Sequence, residues 1–153
     1  MPVTMQDVIN QLDREEPDYD QAARLGEEAL PHLMALIQGS DLGLAVKAAS
    51  LAGLINADQS TTALKIASDH AQPVVRVAAA AAAAHLAPEA ASDVLIKLLD
   101  DPDVGVRKLA LKSVPVDATP LLRSKVQELT ISDPENFVRN LSSEVFSRLK
   151  SNP

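Results

Sequence analysis

The chain of 153 residues contains no cysteine and no tryptophan. The first absence excludes disulfides, thiolate nucleophiles, cysteine-ligated zinc and a cysteine-linked cofactor. Aromatic residues are nearly as scarce, with Tyr19, Phe137 and Phe146 the whole set. Since 46% of the residues are hydrophobic, the core has to be built from Ala, Leu, Val and Ile. An excess of positive charge is also missing. A formal net charge of −7 argues against a protein that neutralises phosphates, and Arg107, Lys108 and Lys112 form the one local basic cluster. The five glycines make no phosphate-cradling loop. Residues 1–20 hold no apolar run of signal-peptide type, and no stretch reaches membrane-spanning length, so the expectation is a cytoplasmic protein without a membrane partner. The length suits one domain, 1–153, large enough to bury a core without staples.

The charge is unevenly placed. Residues 1–41 hold nine acids (Asp7, Asp13, Glu15, Glu16, Asp18, Asp20, Glu27, Glu28, Asp41) against Arg14 and Arg24, which accounts for the whole net charge. Residues 104–153 hold eight bases and five acids. The acidic end, with Asp13, Glu15, Glu16, Asp18 and Asp20 at its centre, has three readings: a solvated cap, a docking site for a basic partner, or one half of an end-to-end self-association that would not close.

What the chain does have is a repeat. Val46-Lys47, Val75-Arg76, Val106-Arg107 and Val138-Arg139 recur at intervals of 29, 31 and 32 residues. Residues 100–107 align without a gap to 132–139, prolines included. A fixed period of this size marks a stack of helical units. Each unit reads as two helices. The first follows the Val-Arg turn, at 42–55, 73–86, 103–113 and 134–149. The second follows a break, at 28–38, 59–69, 89–100 and 118–131. Apolar residues keep helical spacing, as in Leu30, Leu33 and Ile37, or Ala91, Val94, Leu95 and Leu98, or Leu122, Val126 and Leu129. Seven consecutive alanines, Ala78 to Ala84, are helical on propensity alone and let neighbouring helices come close. Met5, Val8, Ile9 and Leu12 share one face of a further helix that caps the stack within an acidic segment 1–27, ahead of repeats over 28–133. The last helix, within 134–153, is expected to close the other end with Phe137 and Phe146.

The Asp-Pro-x-x-x-Val-Arg turn, complete at 101–107 and 133–139 and partial at 70–76, resembles that of the HEAT-repeat family, in the short bacterial form related to the HEAT-like repeats of phycobilisome lyases. The apolar run Val94-Leu95-Ile96-Lys97-Leu98-Leu99 adds to the likeness, which covers roughly 27–149. It implies an all-α, right-handed superhelical solenoid of about four to five repeats. It says little about function, because such stacks host unrelated roles.

Chemistry finds no foothold in the sequence. His32, His70 and His85 share no repeat position, Ser68-Asp69-His70 reads as a turn, and the paired His-Glu dipeptides of one HEAT-like hydroxylase class are missing. No catalytic, metal or cofactor residue is assigned. Nothing supplies a bilin site of the lyase-associated kind. Lys47, Arg76, Arg107 and Arg139 read best as ties to Asp69, Asp101 and Asp133 of the preceding turns.

The resemblance implies that the second helices line a concave face. There Glu89, Asp93, Lys97 and Asp100 form a polar stripe opposite the core, and its counterparts fall near Glu28 and His32, Thr62 and Ile66, and Ser124 and Glu128. Arg123, and Tyr19 if the N-terminal segment lies close, are the candidate anchors. The expected function is a non-catalytic scaffold or adaptor that binds a protein through this groove, the acidic end, or both. The alternative is an accessory subunit of a lyase- or maturation-type enzyme, with the chemistry in its partner.

Overall fold

A computed structural model describes residues 2–151. Ten α-helices follow one another: α1 Met5–Leu12, α2 Tyr19–Ala22, α3 Leu30–Ile37, α4 Leu42–Ile55, α5 Asp58–Ser68, α6 Pro73–Ala82, α7 Pro88–Leu98, α8 Val104–Lys112, α9 Pro120–Ser132 and α10 Asn136–Arg148. Short 3₁₀ turns at Ala23–Leu25 and Glu27–Ala29 lead into α3, and another at Ala83–His85 extends α6. No strand occurs among the described residues.

Local chemistry sets the helix starts. Asp41 and Asp103 accept hydrogen bonds from the Leu44 and Val106 amides at 3.0 and 3.1 Å, filling the donor deficit of a first turn. Thr4 and Asp7 form a reciprocal capping box on α1. Proline occupies the first turn of α3, α6, α7 and α9, where its missing N–H leaves nothing unpaired. Asn56 ends α4 in the left-handed region at φ 51°.

The helices form two layers. The first helices α4, α6, α8 and α10 pack in sequence order, and the second helices α3, α5, α7 and α9 pack in the same order beside them. This is a HEAT-type helical solenoid. α1 and α2 pack against α3 and α4, with Val8 and Leu12 fully buried. Between the layers lies one continuous core of Ala, Leu, Val and Ile that includes Leu33, Ala49, Leu64, Ala79, Leu95, Leu111, Leu122 and Val126.

The tightest approach is between α4 and α6. A Cβ placed on Gly53 would stand 2.6 Å from the Ala82 carbonyl oxygen and 2.8 Å from its Cβ. The alanine run therefore serves as a close-packing surface, with Ala78, Ala79, Ala80, Ala82 and Ala83 buried. Gly53→Ala gains ~1 kcal/mol of helix propensity but drives a methyl into backbone, an overpacking cost of ~1–3 kcal/mol. A net loss of stability is expected in chemical denaturation. A variant as stable as the wild type would mean that α4 and α6 separate freely.

The far end of the stack is closed differently from expectation. Phe137 is 52% exposed, with the Lys108 ammonium 5.5 Å from its ring centroid, so it seals nothing. Phe146 is half-buried against the core and lies under the Arg123 guanidinium at 4.6 Å. The outward side of α10 is polar. Ser143 of α10 stands where the inner first helix α8 has the fully buried Leu111, and it is exposed together with Asn140 and Ser147.

Candidate functional site

Arginines that recur in the sequence build a clamp along one edge. Arg107 donates from Nε and Nη2 to Asp133 at 2.8 and 3.3 Å, and Arg76 does the same to Asp101 at 2.8 and 3.1 Å. Each guanidinium also holds its own turn, with Nη1 on the His70 carbonyl for Arg76 and on the Asp101 carbonyl for Arg107, at 2.8 and 2.9 Å. Arg139 ends the row, with Nη1 on the Asp133 carbonyl. The carboxylate thus comes from the following turn, whereas the sequence had suggested the preceding one. The side chain is long enough to bridge from its own turn to the next, and the Asp turns inward to meet it.

Asp101 and Asp133 each also accept an amide two residues on, from Asp103 and Glu135, both at 2.9 Å. At the corresponding place His70 Nδ1 accepts from the Gln72 amide at 2.9 Å. No carboxylate stands there for Lys47, which donates to the Arg14 carbonyl instead. With Arg107 buried in its clamp, the Arg107, Lys108, Lys112 cluster is not a free basic patch.

A second set of ties crosses the face of the second helices. Asp69, at the end of α5, pairs with Lys97 of α7. Asp100, at the end of α7, pairs with Lys125 of α9 at 2.6 Å, and Lys125 also reaches Glu128 at 3.4 Å. Hydrogen bonding to Asp100, opposed in part by desolvation, raises the pKa of Lys125 above the ordinary lysine range. Lys125 was not singled out from sequence, and Asp69 was read as a tie for the recurring cations, whereas it meets Lys97 of the next second helix. The signal was available, since Asp69 and Asp100 stand at equivalent ends of successive second helices.

The face of the second helices carries most of the expected groove residues, though not all as free side chains. Glu28, Thr62, Glu89 and Asp93 are exposed and enter no ion pair among the described residues. Lys97, Asp100 and Glu128 are exposed but tied as above. Ile66 is half-buried against the core. His32 turns to the N-terminal segment, with Nε2 2.9 Å from the Val3 carbonyl oxygen. Arg123 lies over Phe146 between α9 and α10, and its Nε is buried without a partner. Tyr19 of α2 is half-buried against the core, beside α4, a first helix. Burial pushes its phenol above the ordinary range, and the Ser50 hydroxyl partly offsets this. Arg123 and Tyr19 thus each find apolar cover on a neighbouring element, Arg123 on Phe146 and Tyr19 against the core.

At the acidic end Asp18 caps α2 by accepting from the Gln21 amide at 3.1 Å, and Asp13, Glu15, Glu16 and Asp20 are exposed. No helix among the described residues is long and apolar enough to cross a membrane, and no three of their His, Asp or Glu side chains gather as a metal would need.

Two layers of helical pairs, a repeated Asp–Arg clamp and a periodic polar face together define a class of repeat protein. Residues 60–146, more than half of the chain, match the family model for HEAT repeats, and the chain belongs to the HEAT-repeat family. No curated protein matches it.

Proposed function

We propose that this protein is a non-catalytic interaction module, a scaffold or adaptor that holds a protein partner on the exposed face of α3, α5, α7 and α9. HEAT repeats are commonly protein-interaction modules. The observation that carries the reading to this face is the row of unpaired acids, Glu28, Glu89 and Asp93, displayed beside residues already fixed by the Asp69–Lys97 and Asp100–Lys125 pairs. Side chains held in place before binding lose less entropy on association. Counted within their own bounds the second helices are balanced, four acids against four bases, but Lys97 and Lys125 are held in ion pairs while Glu89 and Asp93 are not. A basic partner surface therefore complements these free acids and the acidic segment 13–20. End-to-end self-association has less support, because the outermost residues of α10 are uncharged and polar.

Charge reversal tests the face. Asp93→Arg with Lys97→Glu should leave the fold intact, since it exchanges one exposed ion pair worth ~0–1 kcal/mol for an equally exposed like-charge contact with Asp69 of similar size. It should weaken a partner captured from native lysate, in a titration of the purified pair. Unchanged affinity would move the site off this face. The partner's own activity would then separate an adaptor from an accessory subunit of an enzyme complex.

A further inference from the structure

Where the second helices begin, the gap between α7 and α9 opens into a cleft of about 490 Å³, lined by Ala87, Pro88, Glu89, Asp117, Ala118, Thr119 and Pro120. Its volume lies within the range of ligand-binding clefts. Its walls are mostly apolar. Leu121, which follows Pro120 at the start of α9, is 66% exposed beside it. The rim is acidic: Glu89 and Asp117 enter no ion pair among the described residues.

The cleft is also rigid. Ser92 Oγ and Thr119 Oγ1 lie 2.7 Å apart and tie α7 to the cap of α9. Thr119 in turn accepts from the Leu122 amide at 3.3 Å. Prolines fix the first turn on both sides. The Lys150 amide, donating to the Val116 carbonyl at 2.7 Å, pins the loop from below.

We infer that this cleft receives an apolar side chain of a partner protein's extended segment, flanked by Lys or Arg that meet Glu89 and Asp117. The inference rests on the interaction-module reading and names one part of its face together with the partner's chemistry. Charge complementarity decides the occupant: two carboxylates beside an apolar slot reject an acidic segment and leave an uncharged one without polar partners. A preformed slot held by prolines and a hydroxyl bridge keeps the ordering cost low.

The test uses the full chain and three fluorescein-labelled heptapeptides. One carries Leu between two Arg residues, in the second Ser replaces the Leu, and in the third Glu replaces both Arg. Only the first should bind in fluorescence anisotropy. Its amide NMR shifts should centre on Ala87, Glu89, Asp117, Ala118 and Leu121. Glu89→Lys with Asp117→Lys should weaken it by about tenfold or more, as expected when rim attraction becomes repulsion, while Glu144→Lys, on the exposed surface of the first helix α10, should not. If the reversal disturbs folding, Glu89→Gln with Asp117→Asn gives the same comparison in milder form. No binding of the Leu/Arg peptide, equal binding of all three, or shifts centred on residues 13–20 would overturn the assignment. A lysate partner that binds through Asp93 while the cleft variants bind it normally would sink this inference and leave the interaction module standing.

Discussion

Arg107→Leu is expected to remove about 3–5 kcal/mol of folding stability, the usual result of taking one partner from a buried ion pair. Asp133 is only 3% exposed, and both of its oxygens are committed to Arg107. Without the guanidinium its charge has nowhere to go, and the Asp101 carbonyl loses a donor as well. Arg107→Leu with Asp133→Asn should recover much of the loss, because Asn keeps an acceptor for the Glu135 amide without the charge. Lys47→Met, at the equivalent position, should cost ~1 kcal/mol or less, the worth of one ordinary hydrogen bond, because Lys47 has a carbonyl partner and no carboxylate. Urea denaturation of the four proteins checks all of this. Similar losses at Lys47 and Arg107 would show that the clamp contributes no more than a surface contact.

Leu95→Ala should cost ~2–5 kcal/mol as a core truncation. Leu95 is fully buried at the centre of α7, in the core where the two layers meet. Each unit of a stack is stabilised by its neighbours, so the cavity should weaken the α5–α7 and α7–α9 contacts together and lower the midpoint of the whole transition. Thermal or urea unfolding measures it. A loss below ~1 kcal/mol would mean that α7 repacks or that its buried side faces elsewhere. The Asp93→Arg, Lys97→Glu pair lies on the same helix two residues to either side, and its small expected effect makes the contrast a test of helix phase.

Much of the fold was legible because helical periodicity, turn prolines and the Val-Arg recurrence point the same way. The core positions Ala91, Val94, Leu95 and Leu98 of α7 followed from spacing alone and are buried. Phe137 was misplaced because size was taken as a guide to burial, whereas it is exposed and the outward side of α10 carries Ser143 and Asn140. The clamp was half legible. Which cations and carboxylates recur is a sequence property, but which turn supplies the carboxylate depends on how far an arginine reaches across the stack. The same limit applies to the face of the second helices. Spacing placed Lys97 and Asp100 on one stripe but could not show that each is tied to a neighbouring helix, nor that His32 and Arg123 turn toward α1 and α10. The cleft between α7 and α9 had little signature in sequence, because it is a gap between two helix starts: Pro88 and Asp117 read as helix breaks, and Glu89 alone among its lining residues read as a binding residue.

A protein partner lying on the second helices should be reached by a photo-crosslinking amino acid at Asp93 and missed by one placed, in a separate protein, at Ala81, which is exposed on the first helix α6. Irradiation in native lysate should give a discrete adduct from position 93 and none from position 81. An adduct from position 81 alone, or from neither position while the protein still captures its partner, would contradict the account.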